Sequence, residues 1–203
     1  MNITLDIEKN SEPFSLFDEW FAQAAASEVN DPDAAALATV DAGGMPDVRM
    51  VLVKTRDAHG FAFFTNLGSK KGRDLIAHPK AALCFHWKSL GRQIRVQGTI
   101  ETVSSEEADA YFNSRHPVSR RGAIASRQSQ PLDSRATLDS ALAAVAAAHP
   151  DDNAIPRPEH WSGFRLVPLK IEFWQQGDNR LHDRFTFTRQ TVDAAWDVTR
   201  LYP

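Results

Sequence analysis

The sequence predicts a mainly β, α+β fold in which short antiparallel strands form a barrel or sandwich and helices pack around it. Two observations carry this expectation. Five strand-like runs fall between residues 36 and 103, separated by turn signals, and their short spacing favours antiparallel pairing over a parallel sheet wound with helices. The length of 203 residues, with 42% hydrophobic and 24% charged, suits one well-filled core, so a single domain over 1–203 is expected.

Taken in order, residues 1–12 form a short N-terminal arm, and Ser15 is placed to cap a helix. Phe17, Trp20, Phe21 and Ala24 share that helix's core face at the i, i+3, i+4, i+7 spacing. Strands follow at Ala36 to Val40, Val48 to Lys54, Phe61 to Thr65, Ala81 to Trp87 and Gln93 to Val103, with turns at Gly43-Gly44 and at 57–60. The turn Asn66-Leu67-Gly68 leads into a short helix opening at Ser69. Ser104 and Glu107 make a capping-box pattern ahead of a helix bearing Tyr111 and Phe112, which begins a helical insertion over 104–149. Leu138, Leu142 and Val145 mark its last amphipathic helix. An extended linker at 154–158 leads to Trp161, and the C-terminal strand region, 167–203, closes the chain with a strand pair.

Composition excludes several functions. A net charge of -3 and a pI near 6.2 give no general attraction to nucleic acid or to an anionic membrane. No run approaches the roughly 18 apolar residues of a membrane span, and the start MNITLDIEKN lacks a basic region followed by an apolar core. Cys84 is the only cysteine, so neither an intrachain disulfide nor a cysteine-based zinc site can form, and a cytoplasmic setting is expected. No GxGxxG turn, Walker loop, HExxH helix or GxSxG elbow occurs.

Three segments carry the polar chemistry. Ile171-Glu172-Phe173-Trp174 is followed by Arg180-Leu181-His182-Asp183-Arg184: two guanidiniums, an imidazole, a carboxylate and an indole within eleven residues. Arginine presents a fork of donors to phosphate, histidine can move a proton, and an indole can cover a flat ring. The same residues could form an exposed strand whose arginines pair with Asp178 and Asp183. Lys70, Lys71 and Arg73 crowd the first turns of the helix at Ser69, against the helix dipole, and a bound phosphate would reverse that penalty. Ser114 to Arg121 with Ser126 to Ser129 could likewise grip a phosphate or solvate a surface. Of the seven histidines only His182 lies in a dense polar constellation.

These fragments line up, in order, with one family. Arg49-Met50-Val51-Leu52-Val53-Lys54, Phe63-Phe64-Thr65-Asn66, Ser69-Lys70-Lys71-Gly72, Arg92-Gln93-Ile94-Arg95, Tyr111-Phe112 with Ser114-Arg115, Gln128-Ser129, the WSGFR run at 161–165, Ile171 to Gln175, RLHDR at 180–184 and the terminal RLYP at 200–203 together resemble pyridoxine (pyridoxamine) 5'-phosphate oxidase. The resemblance covers nearly the whole chain. It implies an FMN-binding split β-barrel and a homodimer with FMN at the subunit interface.

Position by position, the resemblance assigns FMN to Arg49, Met50, Val51, Leu52, Val53, Lys54, Phe64, Thr65, Lys70, Lys71, Gln93, Gln128, Ser129, Trp174 and Arg184. Arg49, Lys71 and Ser129 suit its phosphate and Gln93 the ring edge. It assigns the substrate phosphate to Lys54, Tyr111, Arg115 and Ser119, and places Arg180, Leu181 and His182 at the reacting ring, with Arg180 and His182 as the catalytic pair. The implied reaction moves hydride from C4' of pyridoxamine or pyridoxine 5'-phosphate to flavin N5. O2 then reoxidises the flavin and H2O2 is released, and the imine from the amine substrate hydrolyses to aldehyde and ammonia. Alternation along a strand would send residues 180, 182 and 184 to one face.

The chain departs from the family pattern at Phe64, where tyrosine is common, and at Lys70, where arginine is common. Over 119–124, Ser-Arg-Arg-Gly-Ala-Ile replaces a more usual Ser-Gln-Ile-Gly-Ala-Trp. Two other functions fit a similar residue set: a related flavin oxidase of a larger aromatic ring, as in phenazine pathways, and a protein that binds FMN or pyridoxal phosphate without turnover.

Overall fold

The computed structural model describes residues 12–203. Helix α1 (Pro13–Ser27) is capped by Glu12, whose carboxylate accepts the Ser15 amide at 2.8 Å. Ser15 therefore lies inside the helix, because Pro13 and its preset φ start it three residues earlier than a Ser15 cap would. Phe17, Trp20 and Ala24 are buried as expected, with Phe17 packed edge-on against Phe61, Phe85 and Trp87 and Trp20 against Phe173.

Eight strands form one antiparallel sheet: β1 (Ala34–Val40), β2 (Pro46–Asp57), β3 (Gly60–Asn66), β4 (Lys80–Trp87), β5 (Arg92–Thr102), β6 (Trp161–Gln175), β7 (Asp183–Thr188) and β8 (Asp197–Leu201). Their order is β3-β2-β1-β4-β5-β6-β7-β8, and β3 also pairs with β6, so six strands close a barrel from which β7 and β8 extend. Strand β6 makes this possible. It pairs with β5 along its length, with β3 from Trp161 to Leu166, and with β7 from Lys170 to Gln175. Pro168, which has no N–H to donate, sits between the two pairings beside the register shift at Gln97/Gly98. The sequence pointed to one C-terminal strand pair; the structure has three strands after residue 160.

The register separates the two faces. Leu37, Leu83, Val96, Ile171 and Phe187 are paired in succession across β1, β4, β5, β6 and β7, and all are fully buried. The alternate residues face outward, among them Val48, Met50 and Leu52 of β2, each at least 41% exposed. Helix α2 (Lys70–Ala77) follows β3, and α3 (Ser105–Ser114), α4 (Pro117–Ala125) and α5 (Arg135–Ala148) lie between β5 and β6. Ser69 and Ser104 cap α2 and α3 as the sequence indicates, accepting from Gly72 and Glu107 at 3.2 and 3.1 Å.

Candidate active site

Two groups of predicted residues assemble, in different places. The first lies where the end of β3 meets α2 and the α4–α5 connection. Lys71 Nζ donates to Gln128 Oε1 at 3.0 Å and to Thr65 Oγ1 at 3.2 Å, and Thr65 Oγ1 donates to the same Gln128 oxygen at 3.2 Å. Among the described residues no carboxylate pairs with Lys71. Burial, and then the Arg49 charge, hold its pKa below the usual lysine value.

Arg49 and Lys70 are placed differently. Arg49 donates to Thr39 Oγ1 at 2.6 Å and pairs with Asp47 at 2.5 Å, while Lys70 pairs with Asp74 at 3.0 Å and Asp47 at 3.6 Å. Thr39 in turn donates to Asp74 at 2.8 Å. The helix-dipole penalty expected for Lys70 is thus met by carboxylates of the chain itself, whereas Lys71, and Arg73 on the Gly68 carbonyl, pair with no carboxylate among the described residues. Asp74 and Thr39, both buried, were missed from sequence because they mark no motif.

Beside Lys71 opens a cavity of about 360 Å³, lined in part by Phe64, Thr65, Gln128, Arg115, Ser119 and Trp161. Two rings, Phe64 and Trp161, stack at 5.7 Å in its wall, and Tyr111 stacks in turn on Phe64 at 4.1 Å. Gly163 makes room for this, since a Cβ there would meet the Phe64 ring at 2.7 Å. The Arg115 guanidinium lies 5.0 Å over Trp161, and its Nη1 is buried without a hydrogen-bond partner. A buried guanidinium nitrogen with no acceptor is costly unless a ligand supplies one. Trp161, read from sequence as the end of a linker and the start of the WSGFR run but given no site role, lines this cavity.

The departures at 120 and 121 do not enter the cavity. Arg120 is buried and donates to the Asp152 carbonyl at 2.5 Å, and Arg121 grips the His149 carbonyl at 2.7 and 3.1 Å and the Asp152 carboxylate at 2.7 Å. Both bind the end of α5 to α4. Ile124 packs on the cluster of Phe112, Ile155 and Trp161.

The second group lies on the outer face of β5–β6–β7, where Gln93, Trp174 and Arg184 are directly paired in a row. Arg184 donates through Nε and Nη2 to Glu172 Oε1 at 3.1 and 2.9 Å and through Nη1 to the Tyr202 carbonyl at 3.0 Å. Neither Asp178 nor Asp183 takes this pair, contrary to the exposed-strand expectation. Gln93 and Met50 also line an open depression of about 640 Å³ on this face.

Residues 180–184 are not one strand. Asp178–Arg180 form a 3-10 turn with Asn179 and Arg180 at φ 53° and 66°, and β7 begins only at Asp183. The alternation that would align residues 180, 182 and 184 is therefore lost, because the loop must fold back tightly. A Cβ on Gly177 would lie 1.9 Å from the Leu181 carbonyl oxygen. Leu181 and Arg180 are exposed, while the His182 ring lies 4.6 Å from Trp174. The Gly177 amide donates to His182 Nδ1 at 3.2 Å, so in the neutral ring the hydrogen is on Nε2.

Other predicted positions stand apart. Lys54 is the extra residue at the register shift between Val53 and Thr55, and its ammonium pairs with Asp33 at 2.5 Å. The Val53 side chain is in the core and Val51 packs against it, so any ligand contact from Val53 comes from its backbone. Ser129 is exposed, with a left-handed φ of 68°. No hydrogen bond, ion pair or ring contact among the described residues joins the Lys71–Arg115 group to the Gln93–Arg184 group.

The pyridoxamine 5'-phosphate oxidase family model matches residues 21–149, and the model for the pyridoxine 5'-phosphate oxidase C-terminal dimerisation region matches residues 161–203. The chain belongs to this family. Proteins named pyridoxine/pyridoxamine 5'-phosphate oxidase from Rhodopseudomonas palustris (strain BisB18) and Rhizobium meliloti (strain 1021) are each 57% identical to it. The matches cover 98% and 99% of this chain, and 92% and 97% of theirs. Among solved structures, PhzG from Burkholderia lata 383 in complex with tetrahydrophenazine-1-carboxylic acid superposes with a TM-score of 0.89 at 31% identity, covering 98% of this chain and all of the other. An FMN-binding, pyridoxamine 5'-phosphate oxidase-related protein from Nostoc punctiforme shares the fold, with a TM-score of 0.77 at 17% identity. Among the described residues no helix is long and apolar enough to cross a membrane.

Proposed function

We propose that this protein oxidises pyridoxamine and pyridoxine 5'-phosphates to pyridoxal 5'-phosphate, using FMN and O2, as a homodimer whose two sites each combine both copies. The observation that carries the substrate class is Arg115. Arg115 lines a cavity walled by the stacked rings of Phe64 and Trp161, and its buried Nη1 has no hydrogen-bond partner, a combination that suits a small aromatic phosphate. The named relatives at 57% identity support the same reading.

The residues fit FMN. Lys71, with no carboxylate of its own, suits a terminal phosphate beside Thr65 and Gln128, with Ser129 nearby in sequence. Gln93, Trp174 and Arg184 present an amide, an indole and a guanidinium in one row, suited to a flat ring and its polar edge. When bound, FMN supplies the two-electron acceptor and passes the electrons to O2. The chain's own work is to hold and orient. Arg115, Ser119, Tyr111 and Lys54 hold the substrate phosphate, while Arg180 and His182 orient the ring. His182, with its hydrogen on Nε2, acts toward the substrate as a donor.

The need for a second copy is supported by the separation of the two groups within one protomer and by the apolar outer face of β2. The C-terminal dimerisation match supports it as well. Anaerobic mixing of flavin-loaded protein with pyridoxamine 5'-phosphate, followed by oxygen, tests the reading: bleaching and recovery of the flavin are expected. Binding without bleaching would leave a carrier. The likeness to PhzG favours a phenazine-type substrate as the second reading; bleaching by such rings but not by the B6 phosphate would establish it.

A further inference from the structure

Glu172 has no role in the reading above, and its surroundings are unusual. It is 3% exposed although it lies on the sheet's outer face, directly across from Arg95 on β5 and Thr186 on β7. Each carboxylate oxygen is taken by a different arginine: Oε1 accepts from Nε and Nη2 of Arg184, and Oε2 accepts from Nη2 of Arg95. With the Tyr202 carbonyl on Nη1, Arg184 is held through all three nitrogens. A long side chain gives up much rotamer freedom to be fixed in this way, and two guanidiniums against one carboxylate leave a net positive charge beside Gln93 and Trp174.

We infer that Glu172 is a positioning residue for the flavin. It aims Arg184 and sets the net charge that the ring meets on this face. The inference rests on the FMN reading. It makes two separable demands, one on geometry and one on charge. Glu172→Gln keeps the side chain's length but removes its charge, so the two arginines stand unneutralised and the reduced, anionic flavin gains over the oxidised one. Glu172→Asp keeps the charge but shortens the reach, so both arginines cannot be held in place at once.

The test is a redox titration of the FMN-loaded variants together with fluorescence titration of the apo-proteins with FMN. For Glu172→Gln the ratio of affinities for reduced over oxidised FMN should rise about tenfold. This is the effect of one unit charge about 12 Å away through an effective dielectric near 20, so a closer charge would give more, and it equals about 30 mV for two electrons. For Glu172→Asp that ratio should stay as in the wild type while oxidised FMN binds several-fold more weakly. A folded, loaded Glu172→Gln protein with an unchanged ratio overturns the inference. Should Glu172→Gln fail to fold, unchanged FMN affinity in Glu172→Asp overturns it instead. A wild-type protein that takes up no FMN brings down the reading on which the inference stands, and is recognised before any variant is compared.

Discussion

Replacing Arg115 with alanine separates the two phosphate sites assigned to this protein. The guanidinium is half-buried over Trp161, with Nη1 itself buried and unpartnered, so a substrate phosphate need not displace any protein acceptor from that nitrogen. A hydrogen bond to a charged group is worth about 1.5–3 kcal/mol, so losing one should raise KM for pyridoxamine 5'-phosphate about 10- to 150-fold. The upper part of that range is expected, because burial keeps water from competing for the same donor; burial is also what draws the Arg115 pKa below its usual value. FMN retention should stay near the wild type, since Lys71, Thr65 and Gln128 bond to one another and not to Arg115. Steady-state kinetics on protein saturated with FMN gives the split: KM rises while kcat holds, the mark of binding shared by ground and transition states. Arg115→Lys should fall between, keeping charge without the planar fork. Equal loss of FMN and substrate binding would refute the separation of the two sites.

Lys71→Ala should weaken FMN binding by about 1.5–3 kcal/mol, read by titration of the apo-protein. Because the Lys71 pKa is lowered on folding, the unfolded chain binds more protons at this site between the lowered value and 10.5. The group's contribution to apo-protein stability therefore rises with pH across that window, while wild-type FMN affinity falls there as the ammonium is lost. In Lys71→Ala both slopes should flatten, and persistence of the affinity slope would assign it to another group. Met50→Glu places a charge in the middle of the exposed apolar row of β2. Light scattering should show a shift to monomer with loss of FMN, and a dimer that keeps its flavin would move the interface elsewhere. For His182, glutamine should hold the anaerobic rate of flavin reduction within about tenfold of the wild type because it retains a donor, whereas alanine should lose more. Equal loss in both would mark His182 as a base.

How much was legible depended on whether the signal was local. The caps at Ser69 and Ser104 and the β4 and β5 runs are set by neighbours in sequence, and the structure has them within a residue or two. The closing pair β3–β6 joins residues about a hundred apart, and no local pattern announces it. The same holds for Asp74 against Thr39 and for Glu172 against Arg95: each is a polar residue whose partner is supplied by the register. Strand spacing was misleading at Arg180, because alternation was extended through a turn whose two left-handed residues carry no glycine to signal them. The charge of Arg120 and Arg121 also misled. Arginine's reach lets Arg121 cross from α4 to the His149 carbonyl at the end of α5 and Arg120 to the Asp152 carbonyl in the turn beyond it, so their position in sequence says little about where their charge lies.

The run from Arg49 to Lys54, proposed above for the flavin, fits a site shared by two chains better than a pocket within one. In a strand, successive side chains point to opposite faces, and β2 obeys this: Arg49 reaches the inner network of Thr39 and Asp47, Val53 enters the core, and Met50 and Leu52 face outward. Six consecutive residues can serve one ligand only if it lies along their backbone while drawing side chains from alternate sides. The inner side leads toward Asp74 on α2, the helix that also carries Lys71, and the outer side shares its depression with Gln93. Within one protomer the Lys71 group and the Gln93–Trp174–Arg184 row do not touch. A two-fold partner that covers the outward Val48, Met50 and Leu52 would bring its own row against this strand, and the operation that buries the apolar residues would then also complete the site.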